Sequence, residues 1–175
     1  MKIVRIIKGV DSLLSIFNED EGQSEFEHLF DKLTNTETLF SFFETHLHDL
    51  QNYTIDEAVN RTFDDACALE DKFYDVAEND NVQLQTIFKP LSNSQYRLSK
   101  YQRSKAYGEV RRSWLRVYAV RLESDKYIVT GGAIKLTQTM QERPHTQEQL
   151  DRLTQMRDYL LENGFDDSDI EILEV

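Results

Sequence analysis

Between Tyr96 and Tyr118 the cations Arg97, Lys100, Arg103, Lys105, Arg111, Arg112 and Arg116 are interleaved with the aromatics Tyr96, Tyr101, Tyr107, Trp114 and Tyr118. Guanidinium and ammonium groups grip phosphates, and aromatic rings stack on unpaired bases. Together they describe a surface for single-stranded RNA. Lys100, Arg103, Lys105, Arg111, Arg112 and Trp114 are the residues through which such a surface would hold the strand. The same cations could instead pair with acids of their own chain, and composition leaves both readings open.

The charge distribution sharpens the question. The 175-residue chain carries a formal net charge of -12. Residues 1–88 hold 6 Lys and Arg against 19 Asp and Glu, residues 89–143 hold 12 against 4, and residues 144–175 hold 2 against 9. The middle third is thus a basic island between acidic flanks, which calls for an anionic partner or an internal acidic cover.

Other arrangements of reactive residue types fail on spacing. Gly131-Gly132 followed by Lys135 lacks the four residues a phosphate loop places between its first glycine and its Gly-Lys-Ser/Thr end, so a strand bulge is expected there. His46 and His48 are two apart and leave a helix on different faces, which does not make a shared metal site. The single cysteine, Cys67, permits no internal disulfide and lies beside an apolar helical stripe, where a small packed residue is the simpler reading. No cofactor or metal is expected. The N-terminus lacks a secretory pattern and no apolar run approaches the roughly 20 residues of a membrane span, so a cytoplasmic protein is expected.

The elements that must position the island follow from periodicity. Lys2–Ile7 and Leu13–Phe17 read as an N-terminal hairpin. Phe26, Leu29, Phe30 and Leu33 mark a first helix, and Leu39, Phe40, Phe43, Leu47 and Leu50 a second. Thr54 and Glu57 form a capping box ahead of a third, whose stripe runs from Ile55 through Val59, Phe63, Ala66, Leu69 and Phe73. Pro90 and the Ser92-Asn93-Ser94 cluster break the run, dividing an acidic, mainly helical region (residues 1–90) from a basic α+β region (91–175), the two being separate or one continuous fold. A short helix is expected over residues 95–108. Two antiparallel strands follow, 113–123 and 126–136, with Trp114, Arg116, Tyr118 and Val120 on one side. A last helix, capped by Thr146 and stopped by Gly164, would turn Leu150, Leu153, Met156, Leu160 and Leu161 inward, and the tail "IEILEV" is expected either to add a short strand or to stay loose.

The segment SWLRVYAVRLESDKYIVTGGAIKLTQTMQERPHTQEQLDRL, residues 113–153, resembles the core of RelE/HigB-like toxins of bacterial toxin–antitoxin systems. Those toxins share an Arg-x-x-Tyr-Ala-like strand, a short turn, a second apolar strand ending in a lysine, and a helix introduced by a proline, and the likeness spans roughly residues 95–163. It implies an α+β fold: a helical N-terminal half with a short hairpin, packed on a RelE-like antiparallel sheet with a C-terminal helix. It also implies a metal-independent endoribonuclease acting on mRNA, often ribosome-bound, with an antitoxin protein as partner. In that chemistry the ribose 2'-hydroxyl attacks the neighbouring phosphate while cations stabilise the transition state. Carried onto this chain, Arg116 and Lys135 would neutralise the phosphate, Arg112 and Lys105 would support them, and Tyr118 or His145 would move protons, histidine being the side chain suited to that near neutral pH. The alternative function is a non-catalytic protein-interaction module of the same fold, binding a phage-defence or antitoxin-related partner.

Overall fold

A computed structural model describes residues 1–92, 100–123 and 125–171. Lys2–Arg5 (β1) and Leu13–Asn18 (β2) form the expected hairpin, with Ile3 opposite Ile16. A two-residue strand, Gln23–Ser24 (β3), leads into Glu25–Leu33 (α1), followed by Thr36–Thr45 (α2) and Ile55–Glu78 (α3). Then come Lys89–Pro90 (β4), Arg103–Tyr107 (β5), Leu115–Arg121 (β6), Tyr127–Ile134 (β7), Pro144–Asn163 (α4) and Ile170–Glu171 (β8).

The eight strands of the described residues belong to one sheet in the order β4-β5-β6-β7-β2-β1-β8, with β3 added to β2. The fold is therefore mixed α+β. The sheet is mixed as well, not purely antiparallel as expected, because β2 runs parallel to β7 and β1 parallel to β8. β2 and β1, from before Pro90, lie between β7 and β8, from after it.

Alternation along the strands sorts the core into two layers. Leu13, Leu115, Val117, Ala119 and Tyr127 pack with Phe26, Phe30, Phe43, Leu69 and Phe73 from α1, α2 and α3. Leu14, Tyr118, Val120, Ile128 and Ala133 point the other way, against Leu153, Met156 and Leu160 of α4. Phe26 anchors the first layer, its ring centroid 4.7 Å from Phe30 and 5.6 Å from Phe73. Burying a side chain of this size stabilises by about 1.5–3 kcal/mol.

The expected bulge is present. Tyr118 opposes Gly131 while Ala119 opposes Val129, so Thr130 is the extra residue, and it re-phases the end of β7. A Cβ on Gly131 would meet Gln149 of α4 at 2.2 Å, and one on Gly132 would meet Leu29 of α1 at 2.4 Å. At Gly132 a Cβ would also lie 2.5 Å from the Arg116 carbonyl oxygen, which leaves no room for a side chain; at Gly131 the neighbour is the movable end of Gln149, and it is the φ of +147° that favours glycine.

Several expectations are corrected. Residues 103–107, expected in a helix, form β5: Arg103, Lys105 and Tyr107 alternate with buried Ser104 and Ala106, a period of two. The start of that expected helix, including Tyr96 and Arg97, lies outside the described residues. Helix α4 begins at Pro144, whose fixed φ and missing N–H suit a first turn. Thr146 is buried and donates to the Met140 and Arg143 carbonyls instead of capping. Phe40, Leu47 and Leu161 are exposed, Leu47 because α2 ends at Thr45 and the chain continues as a 3-10 turn. The Thr54–Glu57 capping box of α3 forms in both directions. The tail contributes the two residues of β8, and 172–175 fall outside the described residues.

Candidate anion-binding face

The β5–β6–β7 meander places a cluster of cations on the side of the sheet that α4 covers only in part. Lys105 lies opposite Tyr118, Tyr107 opposite Arg116, and Arg116 opposite Ala133, so their side chains share that side. Lys135 joins them one step beyond β7.

Tyr107 organises the group. The Arg116 guanidinium carbon sits 4.1 Å from its ring centroid, and Lys105 Nζ 5.6 Å from it. Arg116 Nη1 donates to the Ser113 and Leu115 carbonyls at 2.8 and 2.7 Å, which fixes the plane of the guanidinium. Lys135 Nζ bends back to the Thr137 carbonyl at 2.9 Å.

These cations repel one another. Burial, followed by the charges of Arg116 and Lys105, pulls the Lys135 ammonium below its usual value. Burial likewise lowers Arg116, which still stays protonated at any physiological pH. Among the described residues, no carboxylate lies within ion-pair distance of Arg103, Lys105, Arg116 or Lys135. Other cations of the island are internally neutralised: Lys126 by Asp167, Arg143 by Asp49.

The loop between β5 and β6 is held from the opposite side of the sheet. Buried Asp65 of α3 accepts hydrogen bonds from Glu109 N at 2.6 Å, Val110 N at 3.0 Å and Ser113 Oγ at 2.5 Å. Gly108 permits this approach, since a Cβ there would lie 2.2 Å from Asp65 Oδ2. Arg61 Nη2 adds bonds to the Arg111 and Arg112 carbonyls.

Of the residues expected to act on a phosphate, Arg116, Lys135, Lys105 and Tyr118 are brought together. Tyr118 is buried, its hydroxyl has no partner among the described residues, and burial pushes its pKa up to about 12. A neutral phenol of that kind is a poor proton acceptor near pH 7. His145 does not join the group. Its Nε2 is 2.9 Å from the Ile134 carbonyl, which can only accept, so Nε2 carries a proton, and the ring packs 4.9 Å from His46 and 5.3 Å from Phe42.

The strand-holding residues divide similarly. Arg103 extends the cationic face and is tethered at 3.0 Å to Thr154 of α4. Lys100 stands 3.9 Å from Glu123, with Tyr101 beneath it. Arg111 and Arg112 are exposed on the loop. Trp114 precedes β6 and falls on the opposite side of the sheet, between Phe43, Tyr53 and the Arg61 guanidinium 4.8 Å away, so its ring is part of the packing. The sequence names Tyr107 only as one of the interleaved aromatics and does not single out Asp65. The period-two pattern of β5 would have marked Tyr107 as a cross-strand neighbour of Arg116, whereas nothing local distinguishes Asp65 from the other acids of α3.

Elsewhere the chain offers little reactive chemistry. Burial, reinforced by Glu70, Asp71 and Asp64, pushes the Cys67 thiol up and suppresses the thiolate. Among the described residues no group of His, Cys, Asp and Glu is arranged to hold a metal ion, and no helix is long and apolar enough to cross a membrane. No protein-family model, curated protein or solved structure matches the chain.

Proposed function

We propose that this protein binds single-stranded RNA through phosphate contacts of Lys105, Arg116 and Lys135, in the manner of a RelE/HigB-like toxin. One observation carries the reading: in a chain of net charge -12, these cations converge without a carboxylate partner among the described residues. A phosphate seated among them would supply the missing counter-charge, and the Tyr107 ring, exposed beside them, offers a base a stacking surface.

The face supplies the charge stabilisation that attack of a 2'-hydroxyl on phosphate requires. Among the described residues it holds no proton acceptor suited to neutral pH, since Tyr118 stays protonated and His145 lies elsewhere. RNA binding is therefore the supported activity, and cleavage needs a base from outside the cluster.

Fluorescence anisotropy with a labelled single-stranded RNA at several salt concentrations tests this. Three phosphate contacts predict a log–log slope of about -2, reduced by about 1.4 in Arg116→Ala/Lys135→Ala. Affinity independent of salt, or equal in the double variant, would overturn the proposal. Inducible expression in bacteria with mapping of mRNA 5' ends then separates a nuclease from a binder. New ends that vanish in the variant establish cleavage, and their absence despite RNA binding in vitro establishes binding alone.

A further inference from the structure

A cleft of about 420 Å³ opens on the other edge of β7. Its origin is a fork in the sheet. Strands β2 and β7 run parallel and pair only through Leu13–Tyr127, Leu14–Ile128 and Ser15–Val129. Beyond that point β2 exchanges partners, and β3 pairs with Phe17 and Asn18, which drives the strands apart. Ser15 Oγ sits at the fork, donating to the Val129 carbonyl at 3.3 Å and accepting from Phe26 N at 3.1 Å.

The chain leaving β2 enters α1 on one face of the sheet, and the chain leaving β7 enters α4 on the other. A crevice at the carboxyl ends of adjacent parallel strands whose connections depart to opposite faces is where open α/β sheets bind ligands. Here it is walled by Leu33, Leu39 and Phe42 on one side and by Gln149 and Arg152 of α4 on the other. Its volume falls within the usual range of small-molecule sites.

The polar edge of the cleft follows from the hydrogen-bond phase of β7. Lys135 N donates to the Trp114 carbonyl at 2.8 Å, so Ala133 and Lys135 turn their amides toward β6. In an antiparallel pair the residues between them, Gly132 and Ile134, turn theirs away. Among the described residues no strand pairs with that edge beyond Val129. The Ile134 carbonyl is taken by His145, leaving the Gly132 N–H and C=O and the Ile134 N–H presented to the cleft. Buried Gln149 Oε1 adds an acceptor with no hydrogen-bond partner among the described residues.

We propose that this cleft binds a nucleobase-sized planar heterocycle, whose donor–acceptor edge pairs with the backbone of Gly132 and Ile134. An extended peptide is disfavoured, because only two residues of β7 face outward and β3 closes one end of the edge. A flat ring between helices on both sides matches the apolar wall and the alternating donor and acceptor groups. The inference does not depend on the cationic face.

The test is titration of the full-length ¹⁵N-labelled chain with adenosine, guanosine, cytidine and uridine, nucleosides that carry no phosphate. Saturable shifts of the Gly132 and Ile134 amides are expected from at least one of them. Gln149→Leu should weaken that nucleoside by about tenfold, the scale of one lost hydrogen bond. Thr38→Trp, at an exposed position on the rim, should abolish the shifts by filling the cleft, whereas Arg116→Ala/Lys135→Ala should leave them intact. Displacement of the bound nucleoside by a single-stranded oligonucleotide assigns the base to RNA, and failure to displace it assigns the site to a free nucleotide. No response of these amides to any of the four at millimolar concentration, or responses unchanged in both cleft variants, would overturn the proposal.

Discussion

Ser113 Oγ donates a 2.5 Å hydrogen bond to Asp65 Oδ2, joining the loop before β6 to the middle of α3. The same carboxylate accepts from the Glu109 and Val110 amides. Asp65→Ala would leave these donors without an acceptor in the interior and should cost about 2–4 kcal/mol in chemical denaturation. The variant should also weaken RNA binding, because Arg116 is oriented through the Ser113 carbonyl of the same loop. A cost below about 0.5 kcal/mol would show that the loop holds its shape unaided.

Burial pushes Tyr118 and Tyr127 up to about 12. For an acid whose pKa is higher folded than unfolded, the stabilising contribution is complete below the unfolded value of 10.0 and is lost as pH rises from there toward 12. Absorbance titration should therefore find Tyr118 and Tyr127 ionising late, with Tyr74 also raised by burial and neighbouring acids, among the 8 tyrosines, together with alkaline unfolding. Tyr118→Phe removes an unpartnered buried hydroxyl and should leave stability unchanged or raise it by up to about 1 kcal/mol. Loss of more than that would reveal a partner for the hydroxyl.

The Arg143 hydrogen bonds hold the Asp49 carboxyl below its usual range. A depressed acid pKa contributes stability above the unfolded value of 3.8 and loses it as pH falls through the lower folded value. Arg143→Ala should lower the thermal midpoint at pH 7, and its difference from the parent chain should close as the pH drops below 3.8. A gap constant from pH 7 to pH 2 would assign the loss to packing instead of charge.

With its thiolate disfavoured by burial and three neighbouring acids, Cys67 should react with iodoacetamide at pH 8 at least about threefold more slowly than a free thiol. Glu70→Gln should speed the reaction by removing one of those charges. Reaction at the rate of an unstructured thiol would contradict both expectations.

The elements readable from the sequence were those set by local rules. The stripe from Phe26 to Leu33 and the Thr54–Glu57 box depend on residues three and four apart, and both appear as expected. Arg116 and Lys135 fall on one side because alternation in the β6–β7 hairpin is also local. What failed was decided by distant contacts. Trp114 departs from the alternation of β6 because α2 and Arg61 of α3 claim its ring. β5 is a strand because β6 and β4 offer it two edges, which outweighs any weak helical tendency of its polar residues. Only the resemblance groups His145 with the cations, and its hydrogen bond to the Ile134 carbonyl directs the ring to the far edge of β7.

The parallel pairing of β2 with β7 bears on how the chain is made. Leu13 meets Tyr127 across more than a hundred residues, and β2 is an interior strand of the sheet. During synthesis, the N-terminal hairpin and the helices after it emerge well before that neighbour exists. Until β7 leaves the ribosome, the Leu13–Ser15 edge of β2 has no native cover, and Leu13, Leu14 and Phe26 have only part of their core. Closure of the sheet is therefore a late event, and a nascent chain stalled before residue 127 should engage chaperones that one stalled well past α4 escapes.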